Sequence, residues 1–84
     1  MVTREEIFNE IVRERAHQGM YVQMHTAKEW LRIMRREMVE AEDGIRYGSV
    51  NRSHPLNEIV QVIALGVACL EQYGLDYQTP LEER

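Results

Sequence analysis

The sequence predicts an all-α protein: a small bundle of three main helices, completed by association of more than one copy. Three observations lead there. Two capping boxes, Thr3–Glu6 and Thr26–Glu29, mark helix starts. Apolar residues recur at helical spacing along most of the chain, and no stretch alternates as a strand would. A third segment is apolar on every side, which two other helices in 84 residues cannot cover.

The first helix opens at Thr3. The Thr3 hydroxyl can accept from the Glu6 backbone N–H while the Glu6 carboxylate reaches back. Ile7, Phe8, Ile11 and Val12 follow at helical spacing, and Gly19 is placed to end the helix. The second helix opens at Thr26 and carries an apolar stripe from Ala27 and Trp30 through Met34 and Met38 to Ala41 and Ile45. It is expected to fray near Gly44 or stop by Gly48. Residues 48–53 read as a loop. Ser53 or His54 caps the third helix, Pro55 sits in its first turn where a missing N–H costs little, and Gly74 ends it. Thr79-Pro80-Leu81-Glu82 has the residues of another helix start.

The whole chain, residues 1–84, is read as one domain. A chain this short buries only about 60% of the surface its unfolded form exposes, so a monomer is marginal. Cys69 is the single cysteine, which rules out an intramolecular disulfide and fits a reducing compartment. At 44% hydrophobic and 29% charged, the composition is that of a globular domain, not a disordered one. The net charge of −4 argues against a nucleic-acid polymer as partner. The N-terminal residues lack the apolar stretch of a secretion signal. The longest apolar run, Ile59 to Leu70, is interrupted by Gln61 and too short to span a bilayer. A cytoplasmic protein without a membrane partner is the expectation. The remedy for the over-apolar third helix is a second copy, giving a homodimer or tetramer built through that helix.

Function is sought in the polar residues that interrupt the apolar pattern. With Met34 at zero and 100° per residue, Glu37 falls at about 300° and Glu40 at about 240°, on the shoulder of the buried face. The third helix places Glu58 and Gln61 at the same i, i+3 spacing in an otherwise apolar surface. Two carboxylates from one helix and one from the next, facing inward in a bundle, suit a hard divalent ion. The plain alternative is that Glu37 and Glu40 form a solvated face and that Glu58 is a first-turn acid favoured by the helix dipole. Glu14 and Gln18 extend the stripe of the first helix and either line a pocket or lie exposed. His17, His25 and His54 lack zinc-binding spacing. Cys69, among aliphatics, reads as a small core residue. Arg32, Arg35 and Arg36 read as a salt-bridged outer face, with phosphate contact as the lesser reading.

Taken in order, Glu14-Arg15-x-x-Gln18, Glu29-Trp30-Leu31, Glu37-x-x-Glu40-Ala41 and Glu58-Ile59-Val60-Gln61-Val62 resemble the MazG-like all-α nucleotide pyrophosphohydrolases. The resemblance spans roughly residues 7–72. It implies a helical domain assembled from dimers, and hydrolysis of a nucleoside triphosphate to monophosphate and pyrophosphate with Mg²⁺, or Mn²⁺ in its place. It implies Glu37, Glu40 and Glu58 as catalytic and metal-holding residues, with Gln61 a fourth ligand. Gln18, His25, Trp30, Arg15 and Arg52 would bind the nucleotide, although Trp30 is equally placed for core packing. Arg36 stands where the family has the first acid of Glu-Glu-x-x-Glu, and Gln61 where it usually has Asp. A second outcome is therefore a catalytically reduced helical module of the same kind, binding a nucleotide or a protein.

Overall fold

The computed structural model describes residues 1–19, 24–48 and 54–81. It is all-helical: α1 (Arg4–Gln18), α2 (Ala27–Tyr47) and α3 (Pro55–Tyr73), with no strand among the described residues. No helix there is long and apolar enough to cross a membrane.

Each helix begins where the local chemistry directs. The Glu6 backbone N–H donates to Thr3 Oγ1 at 3.1 Å and the Thr3 N–H donates to the Glu6 carboxylate at 3.2 Å. The same reciprocal pair forms at α2, with Glu29 N–H to Thr26 Oγ1 at 3.2 Å and Thr26 N–H to Glu29 at 2.8 Å. That bond from the Thr26 backbone, followed by the one from its hydroxyl, holds the Glu29 carboxyl below its usual value. Thr26→Ala is expected to cost about 1 kcal/mol, or roughly 4–8 °C in a thermal melt. An unchanged melting temperature would show that the box contributes nothing to stability. At α3 the cap is His54, whose Nδ1 accepts from the Leu56 N–H at 3.2 Å. Ser53, the alternative, lies outside the described residues.

The helix ends divide by backbone conformation. Gly48 and Gly74, at φ +87° and +84°, stop α2 and α3 in a region open mainly to glycine. Gly19 stays right-handed at φ −55°, so α1 ends there without using glycine's freedom. No break occurs at Gly44; α2 runs through it. Beyond Gly74, Asp76 Oδ1 accepts from the N–H groups of Gln78 and Thr79, making a turn. The expected helix start at Thr79 extends no further than a short 3₁₀ turn at Leu81 within the described residues.

The third helix is the centre of the molecule. It packs along both α1 and α2, which make far less contact with each other. The core forms where α2 meets α3: Trp30, Leu65 and Ala68 are buried, with Ile33, Met34, Cys69 and Tyr73 packed around them. Burial pushes the Cys69 thiol up, away from the thiolate form that reacts, in keeping with its role as a small core residue. One expectation is corrected at α1. Of its apolar stripe only Ile11 is buried, while Ile7, Phe8 and Val12 are exposed. A helix with a single neighbour can bury only one narrow strip. The same openness shows in the dimensions. The radius of gyration is 14.2 Å, where a compact domain of this length would have about 12 Å.

Candidate metal centre

The acids are brought together by the register of α2 against α3. Glu37 and Glu40 lie one turn apart on the edge of α2, and Glu58 lies in the first turn of α3. One carboxylate oxygen from each falls within 4.8 Å of the others. Glu58 is only 4% exposed, and the other two are half-buried. Gln61 ties two of them together. With its amide turned to satisfy its neighbours, its nitrogen donates to Glu58 Oε2 and Glu37 Oε2, each at 3.1 Å. Its oxygen accepts from the Asn57 side-chain amide, also at 3.1 Å.

Three carboxylates this close cannot all carry charge cheaply in a part-buried site. Burial, a hydrogen bond with Glu58 and the negative charge of Glu40 push the Glu37 carboxyl up to about 7. The resulting proton links to stability with a definite sign. The folded value lies above the usual 4.5, so the folded chain binds the proton more tightly than the unfolded chain does. That contribution is complete below pH 4.5 and is lost as pH rises through about 7. The metal-free protein is therefore expected to melt at lower temperature at pH 8 than at pH 5, and Glu37→Gln should flatten this part of the profile. A slope that survives in the variant would assign it to other groups.

The donor set suits a hard divalent cation: carboxylate oxygens from two helices, with an amide oxygen available if Gln61 turns over. Turned to satisfy its neighbours, Gln61 presents its nitrogen to the acids, and serving as a ligand requires the opposite orientation of the amide.

The residues expected around a nucleotide are dispersed. Gln18 reaches the acid end of α3: its Nε2 donates to the Gln61 carbonyl at 3.3 Å, and its Oε1 is buried without a hydrogen-bond partner. A buried acceptor left open points to a donor still to be supplied. Arg15 is instead paired with Glu71. About 20 Å of helix separates Glu58 from Glu71 at 1.5 Å per residue, so Arg15 is drawn to the opposite end of α3. His25 lies at that end too, its backbone bonded to Gln72 and its ring edge-on to Trp30 at 4.9 Å. The nucleobase-stacking role of Trp30 is corrected outright. Its side chain is 1% exposed and its indole N–H donates to Gln72 Oε1 at 2.8 Å, so neither ring face is open to a base. Arg52 lies outside the described residues. Arg32, Arg35 and Arg36 are all exposed.

Two features escaped the sequence reading. Gln72 joins the segment before α2 to the end of α3. It accepts from the His25 N–H at 3.2 Å and the Trp30 indole, and donates to the His25 carbonyl at 2.7 Å. Its position near the end of an apolar helix gave no signal of this. The second is an open cleft of about 320 Å³ between α1 and α3, lined by Glu10, Arg13, Glu14, His17, Asn57 and Val60. Asn57 connects it to the acids through Gln61. Glu14 thus lines a pocket, one of the two readings its spacing left open.

Comparison with known proteins yields no match: no protein-family model, no curated protein and no solved structure.

Proposed function

We propose that this chain is a metal-dependent nucleoside triphosphate pyrophosphohydrolase of the MazG-like kind, cleaving NTP to NMP and pyrophosphate. The observation that carries the reading is the convergence of Glu37, Glu40 and Glu58 at the start of α3. These residues would hold Mg²⁺ or Mn²⁺. Once bound, the ion supplies charge neutralisation to the triphosphate and acidifies a coordinated water. The rest falls to the chain. A cluster carboxylate accepts the proton of the attacking water. The water oxygen bonds to the α-phosphorus as its bond to the α–β bridging oxygen breaks, and pyrophosphate leaves with the electron pair. The buried Gln18 Oε1 offers an acceptor to a donor on the substrate, and the cleft beside Asn57 offers room for it. The cytoplasm is the compartment this reading assumes.

A second reading, a catalytically reduced module, is favoured by one observation. With its amide turned to satisfy its neighbours, Gln61 donates to two of the three acids and so relieves their crowding without a cation. Pyrophosphate release from a panel of NTPs and dNTPs, with Mg²⁺ or Mn²⁺, separates the two. Release by the wild type and its loss in Glu40→Gln supports the hydrolase. A folded wild type that releases none from any nucleotide rejects it in favour of the module.

A further inference from the structure

We propose that Asn57 is a positioning residue for the acid cluster: its side-chain amide and that of Gln61 turn over together, and the pair decides whether Gln61 offers the acids a hydrogen-bond donor or offers a cation an oxygen ligand. This rests on the reading of Glu37, Glu40 and Glu58 as a cation site, and it adds a residue that lies outside that site.

Asn57 and Gln61 stand one turn apart on α3, at i and i+4, where side chains meet. One end of the Gln61 amide lies 3.1 Å from both Glu58 Oε2 and Glu37 Oε2, and the other end lies 3.1 Å from the Asn57 side-chain nitrogen. Carboxylate oxygens call for a donor, so the Gln61 nitrogen faces them and its oxygen accepts from Asn57. A cation calls for the reverse. An ion bonded at about 2.0–2.1 Å holds neighbouring oxygen ligands about 3 Å apart. The acid-facing end of Gln61 therefore already stands at ligand spacing from both carboxylates, and only the atom at that end has to change.

Turning Gln61 alone would set its nitrogen against the Asn57 nitrogen, donor to donor. The reversal is complete only when Asn57 turns as well and presents Oδ1. Its surroundings permit the turn. Asn57 is exposed, it lines the open α1–α3 cleft, and its amide makes no other hydrogen bond among the described residues. Gln61 is held more firmly: it is half-buried, and its backbone carbonyl accepts from Gln18 Nε2 at 3.3 Å. The backbone is thus the fixed pivot and the two amides are the moving parts. The same turn changes what the cleft meets. Asn57 shows it an acceptor, Oδ1, beside metal-free acids, and a donor, Nδ2, beside a held cation.

A double-mutant cycle on the full chain tests the pair, read by calorimetric titration with Mn²⁺ alone and by thermal melts without metal, both at pH 8. Asn57→Asp puts a fixed acceptor where the amide can turn. It commits the Gln61 nitrogen to residue 57 and the Gln61 oxygen to the acids. This variant is expected to bind Mn²⁺ on the order of tenfold more tightly than the wild type. Without metal it should melt about 5 °C lower, because an oxygen then faces two carboxylates. The added charge contributes to both effects, and Gln61→Met isolates that contribution. In the Gln61→Met background, Asn57→Asp should change the Mn²⁺ affinity by roughly threefold at most and the metal-free melt by about 1 °C. Asn57→Ala neither donates nor accepts, so it withdraws the same support from both orientations and should leave the affinity within about twofold of the wild type. Equal effects of Asn57→Asp in the two backgrounds overturn the proposal and leave the cation site standing. So does a tenfold loss in Asn57→Ala, which would make Asn57 a support of the bound state alone. If neither the wild type nor Asn57→Asp binds Mn²⁺, the cation is withdrawn, and the hydrolase reading falls together with this proposal. Should Gln61→Met fail to fold, Gln61→Ala closes the same cycle.

Discussion

Trp30→Ala is expected to unfold the chain at room temperature or leave it without a cooperative melt. Among the described residues Trp30 is the one large side chain that is fully buried, and Leu65 and Ala68 close around it. Removing such a ring from a packed core costs about 3–5 kcal/mol, comparable with the whole stability of a domain this small. The loss also strips Gln72 of its indole donor and His25 of the ring it packs against. Trp30→Phe separates the contributions. It keeps most of the apolar volume and loses the hydrogen bond, so it should fold with a melting temperature lowered by several degrees. Circular dichroism during heating reads both variants. An alanine variant that melts like the wild type would show that the α2–α3 core is not what holds the chain together.

This core also marks how far the sequence could be read. The helix starts were legible because a capping box is closed within four residues. The positions of Glu37 and Glu40 were legible because a helix repeats at 100° whatever surrounds it, and the third helix supplied Glu58 by the same arithmetic. The Gln72 clamp was not legible. It joins residues 47 apart in sequence, and besides the Trp30 indole its partners are backbone groups of His25, before α2, which no periodicity describes. Arg15 was placed near a nucleotide by the resemblance alone, and no spacing within α1 could show that its long side chain pairs with Glu71 of α3. For Trp30 the apolar stripe pointed to core packing and the resemblance to base stacking; the packing of α2 on α3 buries it in the core.

The second large effect concerns the acid cluster and has two signs. Glu58→Gln is expected to raise the melting temperature of the metal-free protein and to abolish its response to Mg²⁺ or Mn²⁺. The first part follows from electrostatics. Glu58 is buried beside Glu37 and Glu40, and removing its charge relieves the crowding that adds to burial in pushing the Glu37 carboxyl up to about 7. The second follows from linkage. An ion at a hundred times its dissociation constant stabilises the folded state by about 2.7 kcal/mol, or roughly 10–20 °C for a chain of this size. The wild type should show that rise and the variant should not. Thermal melts at pH 8 with and without the chloride salts give both numbers. A wild type that gains nothing from either metal would remove the cation from the proposed function. A variant that still gains would move the ion to other ligands.

The central position of α3 has a consequence for motion. Because α1 rests on α3 and hardly touches α2, it can lift away while the Trp30 core stays closed. Such a partial opening lies below global unfolding on the free-energy scale. The cleft between α1 and α3 exists only while α1 is seated. Any molecule that fills it therefore draws part of its binding energy into fastening that helix, and the seating of α1 and the occupancy of the cleft become a single equilibrium.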